Sequence, residues 1–376
     1  MDFNLSEEQQ LLKDSADRFV REAYTFEKRQ RLVATEVGYS EAHWQQMAEL
    51  GWLGASLPEA YGGIDGGPLE TLVLMEAFGS GLVAEPYLPS VVLGGGLVAA
   101  AGSEAQKQEI LPALATGERK LAFAYAERSS GYDLFHVETK AKPGDDGFVL
   151  DGTKGVVLGA ACADHIIVSA RSSGDARDRD GIGLFLVAPD SPGLTVHPYP
   201  TVDGLRAAEV VLDSVRVGTD AVLGEAGGAW PIIDVVADQA TAALCAEAVG
   251  AMDAVVTLTR DYLNTREQFG RPLSRFQVLQ HQLADMVIAA EESRSMMIVA
   301  TLRLADKDPG ARARAVSGAK HLIGKHARMI GQRAVQLHGG MGMTEEMSVG
   351  HYFKRLTMIE MMLGDSAWHL RRYAGV

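Results

Sequence analysis

Cysteine is nearly absent: Cys162 and Cys245 are the only two in 376 residues. They are far apart and show no metal-ligand spacing, which excludes a disulfide framework and fits a reducing cytoplasm. Positive charge is also scarce, with 35 Lys and Arg against 49 Asp and Glu, a formal net charge of -14. That balance excludes the broad basic field that a nucleic-acid or anionic-membrane binder needs, although a few local arginines can still hold a phosphorylated cofactor. No segment offers the roughly 18 to 20 uninterrupted apolar residues of a membrane span. Met1 to Glu8 has neither a basic region nor an apolar run, so no signal peptide is read there. Internal repeats and low-complexity tracts are missing too. The expectation is a soluble, globular, cytoplasmic protein with no nucleic-acid or membrane partner.

What is present is ample core material, 47% hydrophobic residues, in a chain longer than one usual core supports. Two or three packed units are expected. Ser6 and Gln9 form a capping-box pattern ahead of Leu12, Ala16, Phe19 and Ala23, which predicts an amphipathic helix. Ser40 caps a second helix carrying Trp44, Met47 and Leu50, with Gly51 as its stop. Helical patterns continue to Thr116–Glu118. From Lys120 the period changes to two, with short runs at 121–126, 137–141, 147–150, 166–170, 182–187 and 208–212. Asp151-Gly152, Asp180-Gly181 and the polar stretch 172–180 separate some of them as turns, the last as a solvated hairpin tip. After Trp230 long helices return over 232–264, 276–305 and 311–337, and their broad apolar faces suggest a four-helix bundle that oligomerises. The fold class is therefore α+β: an all-α domain over 1–118, a β domain over 119–225 and a helical bundle over 226–376.

Between two of the long helices lies Arg266-Glu267-Gln268-Phe269-Gly270. A guanidinium offers a rigid fork for phosphate oxygens, glycine lets backbone approach a ligand, and the ring adds a flat apolar contact. With Gln336-Leu337-His338-Gly339-Gly340, the junction Leu111 to Glu118 and the Asp151-Gly152-x-Lys154 hairpin, the stretch resembles the acyl-CoA dehydrogenase family from Phe3 to Arg372. It resembles in particular the small-subunit type of pimeloyl-CoA dehydrogenase and enzymes of steroid side-chain degradation. The resemblance implies a tetramer with FAD held across each dimer interface and an acyl-CoA substrate in fatty acid or steroid breakdown. It also implies an electron-transfer flavoprotein as a possible electron acceptor. Arg266, Phe269, Gln336, Gly339 and Gly340 would serve the flavin of a neighbouring subunit.

Several positions depart from that pattern. Counting from Val349, the family's catalytic glutamate falls on Leu363, and the alternative base position falls on Ala240; neither side chain can take a proton. Ala126 stands for a threonine that hydrogen-bonds the flavin, Tyr132 for a small serine, Val156 for a tryptophan and Leu158 for a threonine near N5. The chain keeps what it would lend to a partner's flavin and lacks what its own would need. One reading is the non-catalytic subunit of a heterotetramer, with no catalytic residue of its own. Two others stay open: a self-sufficient homotetramer using Asp365 or Glu247 as a relocated base, and a non-redox acyl-CoA-binding scaffold. His338 reads as a packing or adenine-contacting residue, and no metal site is expected.

Overall fold

The computed structural model describes residues 5–375; Phe3, where the family resemblance begins, lies outside them. In chain order the helices are α1 (Glu7–Ala23), α2 (Phe26–Val33), α3 (Glu41–Glu49), α4 (Pro68–Gly81), α5 (Gly96–Ala101) and α6 (Glu104–Ala115). The strands β1 (Leu121–Ala124), β2 (Lys140–Gly144), β3 (Gly147–Leu158), β4 (His165–Arg171), β5 (Ile182–Val187), β6 (Leu194–Pro200), β7 (Arg206–Gly218) and β8 (Val222–Leu223) follow. The last third holds α7 (Trp230–Thr265), the short pair β9 (Glu267–Gln268) and β10 (Arg271–Pro272), then α8 (Gln277–Arg303), α9 (Pro309–His338), α10 (Ser348–Met361) and α11 (Ser366–Ala374). An N-terminal helical region, a middle β region and a C-terminal helical region thus succeed one another as expected.

The chain packs as two compact units that do not follow sequence order. One gathers the chain up to Arg31, Pro68–Val83 and Thr241 onward. In it α4 and α7 cross at two glycines. A Cβ on Gly79 would lie 1.9 Å from the Glu247 carbonyl oxygen, and one on Gly250 would lie 1.8 Å from that of Glu76. Gly250 therefore breaks no helix; it lets two backbones touch where any side chain would hold them apart. By length and composition α7 could cross a membrane, with mean hydropathy 1.5 over its most apolar window, but 72% of that window is buried within the protein. Such burial is that of a core helix, whose apolar surface is already covered by protein.

The other unit comprises Leu32–Gly67 and Ala84–Ala240. Its sheet runs β6-β7-β3-β2-β4-β5-β8, with β1 added parallel to β4. Inward residues such as Val157, Ile166, Val168, Phe185 and Val210 form one buried cluster. Asp151-Gly152 corrects the hairpin expectation: the pair lies inside β3, at a register shift against β7. Gly152 is required there because a Cβ would sit 2.5 Å from the Thr139 hydroxyl, and the β2–β3 turn falls instead at Gly144–Gly147. The stretch 172–180 does join neighbouring antiparallel strands, but it is more than a solvated tip. Arg171, buried beneath it, donates to the carbonyls of Val137, Phe135, Ala176, Asp178 and Asp180 at 2.8 to 3.2 Å. Desolvation pulls its pKa below the ordinary arginine value.

Several elements escape the sequence reading, among them the β9–β10 pair, α10 and α11. Strand β6 carries Pro198 and Pro200, which argue against a strand until it is found at the sheet edge, where a missing N–H costs nothing. Strand β8 has only two residues. Helix α2 has a charged composition, and its buried residue is Arg29, whose Nε donates to the Leu82 carbonyl at 2.8 Å. Hydrophobic periodicity cannot register a helix that docks through a guanidinium.

Candidate functional site

The site begins where α7 stops. After Thr265 the chain forms a two-residue hairpin in which Gln268 pairs with Arg271 and Glu267 with Pro272, and the Leu273 N–H donates to the Arg266 carbonyl at 2.9 Å. Opposed residues of a hairpin share a face, so Arg266, Gln268, Arg271 and Leu273 lie on one side. At the tip, Phe269 and Gly270 have φ of 57° and 79°. That is the backbone of a type I′ turn, for which Asn-Gly is the favoured pair. Phenylalanine in the left-handed region costs about 1 to 2 kcal/mol, and here the ring is 88% exposed, so burial does not repay the strain. Its contact is an edge-on approach to Phe276 at 6.0 Å. A strained, solvent-facing aromatic is the signature of a residue kept for contact with something outside the unit. Phe269→Asn is therefore expected to stabilise the isolated chain by about 0.5 to 1 kcal/mol while weakening ligand retention, checked by thermal melting beside a flavin-binding titration.

Behind the hairpin is an open cavity of about 640 Å³ lined by Tyr262, Arg266, Gln268, Leu273, Leu279, Gln282 and the run Gln336 to Met341. Helix α9 ends at His338, and Gly339 (φ 60°, ψ -141°) turns the chain in a conformation open almost only to glycine. At Gly339 and Gly340 an added Cβ would meet nothing within 4 Å. Internal packing thus does not explain the missing side chain at Gly340; the pair leaves a bare backbone ledge facing the cavity. His338 is buried, its Nδ1–H donates to the Ala334 carbonyl at 2.8 Å, and its ring stacks on Tyr262 at 4.3 Å. Desolvation lowers its pKa, which keeps the imidazole neutral and suits packing rather than acid–base work. A guanidinium, three amides, a glycine ledge and a stacked ring pair fit a phosphorylated planar ligand such as a dinucleotide.

Four of the five sequence-derived binding residues, Arg266, Gln336, Gly339 and Gly340, line this one cavity, and Phe269 stands at the hairpin tip beside it. Gln268 is the amide of the Arg266–Gly270 stretch, whereas Tyr262 and Gln282 escaped the sequence reading. Tyr262 was findable, since it precedes Arg266 by four residues and so shares its helix face.

The residues considered as bases are accounted for differently. Leu363 is buried, with φ 54°. The turn around it is fastened by Lys320, whose buried Nζ donates to the carbonyls of Glu360, Met362 and Gly364 at 3.0, 2.9 and 2.7 Å. His369 Nε2 donates to the Leu363 carbonyl at 3.0 Å. Burial pulls the Lys320 pKa down to about 8, against the raising effect of Cys245, Glu360 and Asp365. Ala240 is fully buried. Glu247 is buried in a two-point ion pair with Arg355, at 2.6 and 2.8 Å, and Asp365 caps α11 by accepting from the Trp368 N–H at 2.7 Å. Both carboxylates already have structural work.

In the β unit, Glu127 is buried, accepting from Lys154 Nζ at 2.7 Å and from the N–H groups of Glu138 and Thr139 at 2.8 and 3.0 Å. Lys154 also reaches the Ser169 hydroxyl at 3.1 Å, and burial lowers its pKa to about 8 in spite of the Glu127 charge. Ala126 adjoins Glu127 in the chain, and Val156 and Leu158 follow Lys154 along β3; none of the three side chains has a hydrogen-bonding group to offer. Val156 is 46% exposed. Among the described residues no cluster of His, Cys, Asp and Glu could hold a metal ion.

Comparison with known proteins gives a consistent result. Family models match three consecutive segments: the acyl-CoA dehydrogenase N-terminal domain at residues 6–118, its middle domain at 122–215 and its C-terminal domain at 230–375. The human mitochondrial short-chain specific acyl-CoA dehydrogenase is 30% identical over 333 residues, covering 87% of this chain and 80% of that protein. A solved structure of a variant of the Tcur3481-Tcur3483 steroid ACAD is 32% identical with a TM-score of 0.88, covering 98% of this chain and 97% of that one. The ChsE4-ChsE5 complex from Mycobacterium tuberculosis is 28% identical with a TM-score of 0.90, over all of this chain and 98% of that one.

Proposed function

Because the chain belongs to the acyl-CoA dehydrogenase family, an FAD-dependent oxidoreductase family, we propose that it works as the non-catalytic subunit of a heteromeric acyl-CoA dehydrogenase. It lends its bundle cavity to the flavin of a homologous partner. FAD, when bound, supplies the hydride acceptor for α,β-dehydrogenation of an acyl-CoA thioester. This chain's contribution is to hold the diphosphate and adenosine end. Arg266 forks to phosphate oxygens, Phe269 packs against the cofactor from the hairpin tip, and Gln336, Gly339 and Gly340 present an amide and bare backbone.

The observation that carries the reading is selectivity of loss. The cavity retains its guanidinium, amides and glycine ledge, whereas the position matching the family's base is a buried leucine, and the two nearby carboxylates are an N-cap and half of a buried ion pair. A proton-abstracting group must be within reach of the proton and free to accept it. Ala126, Val156 and Leu158 add the loss of polar and aromatic flavin contacts in the β unit. Two-chain assembly has precedent in the ChsE4-ChsE5 complex. The substrate class is an acyl-CoA, with steroid and dicarboxylic thioesters both in keeping with the steroid ACAD and the glutaryl-coenzyme A dehydrogenase among the similar structures, and an electron-transfer flavoprotein would take up the electrons. Co-purification with a homologous subunit is expected to yield one FAD per two chains, measured by flavin absorbance against protein. Stoichiometric FAD together with acyl-CoA dehydrogenation by this chain alone would overturn the proposal.

A further inference from the structure

Arg271 has no assigned role, and it shares a hairpin face with cavity-lining residues without itself lining the cavity. It pairs across the strands with Gln268, which lines the cavity with Arg266 and Leu273, so all four share one side. Its guanidinium lies over the Phe276 ring at 4.1 Å from the centroid. Stacking occupies the flat face of the guanidinium and leaves its in-plane N–H donors free for acceptors. The side chain is exposed, and neither it nor Arg266 has a carboxylate partner among the described residues. Arg119, Arg294, Arg333 and Arg355, by contrast, each pair with Asp or Glu. Two guanidinium groups without carboxylate partners on the same face of the hairpin, one stacked on an aromatic ring, suit an anion with oxygens on two centres.

We infer that Arg271 is a second anion-contacting residue of this site, placed by Phe276 so that it and Arg266 grip a diphosphate between them. The inference rests on the proposed flavin-binding role of the cavity. A diphosphate carries two charges over neighbouring phosphorus atoms, and one guanidinium can engage only part of that surface. Arg271 takes the remainder, with its plane fixed in advance by the ring, so little side-chain entropy is lost on binding.

The test uses the assembled complex of this chain with its homologous subunit, prepared without flavin and titrated with FAD at several salt concentrations. Arg271→Gln is expected to weaken FAD binding about ten-fold, the loss of one charged hydrogen-bonding group, with a shallower salt dependence. Arg271→Lys should recover part of the loss, and Phe276→Leu should weaken binding while leaving the charge intact. Unchanged affinity in Arg271→Gln overturns the inference. So does weakened subunit association in the flavin-free complex with unchanged FAD affinity, which would mean that Arg271 pairs with a carboxylate of the partner. Arg266→Ala separates the two levels. If it releases flavin while Arg271→Gln does not, only this inference fails; if neither variant releases flavin, the flavin-binding role fails with it.

Discussion

Arg266→Ala is expected to strip flavin from the assembled complex without unfolding this chain. A guanidinium forked onto phosphate contributes about 2 to 3 kcal/mol of charged hydrogen bonding, so the dissociation constant for FAD should rise roughly 30- to 150-fold. Arg266 is exposed and has no carboxylate partner among the described residues, which places its replacement among surface substitutions that move stability by less than about 0.5 kcal/mol. The check is flavin absorbance per complex after gel filtration, beside the melting temperature of the isolated chain. Flavin retained at full stoichiometry would remove Arg266 from the site.

The second large effect is structural, and it bears on the rival reading. Removing one partner of the Glu247–Arg355 pair, by Glu247→Ala or Arg355→Ala, is expected to cost about 3 to 5 kcal/mol, because the remaining charge is left buried and uncompensated in a site only a few per cent exposed. Replacing both at once, Glu247→Leu with Arg355→Met, should recover most of that loss, since an ion pair taken out of water is often no more stabilising than well-packed apolar side chains. Denaturant unfolding of the two single variants and the double variant, beside the unaltered chain, is the check. If Glu247 were instead a relocated base, the double variant would be stable but would abolish any dehydrogenation by this chain alone. Retention of activity in the complex with its partner is the expected result.

How legible this was in the sequence depended on the kind of information each residue carried. Capping boxes and helical periodicity are local, and Ser6 with Gln9 forms the capping box its spacing predicts, as do the long helices after Trp230. Asp151-Gly152 misled because the same dipeptide serves a turn or a bulge, and the approach of Thr139, which decides between them, comes from the residue just ahead of β2. Strand β6, with Pro198 and Pro200, went unread because edge position is a property of the sheet and cannot be read within β6.

The site divides in the same way. The sequence alone determined which chemistry was on offer: an Arg-x-x-Phe-Gly stretch, a glycine pair after Gln336, and Leu363 where a carboxylate would be needed. Residue types limit what a chain can bind or protonate, and those limits hold in any fold. Only the tertiary structure brought Arg266 and Gly340 to one cavity from positions 74 residues apart, set Phe269 in a strained turn at its edge, and committed Glu247 to Arg355. Distance, burial and partner choice arise when separate helices pack, so no window of sequence contains them.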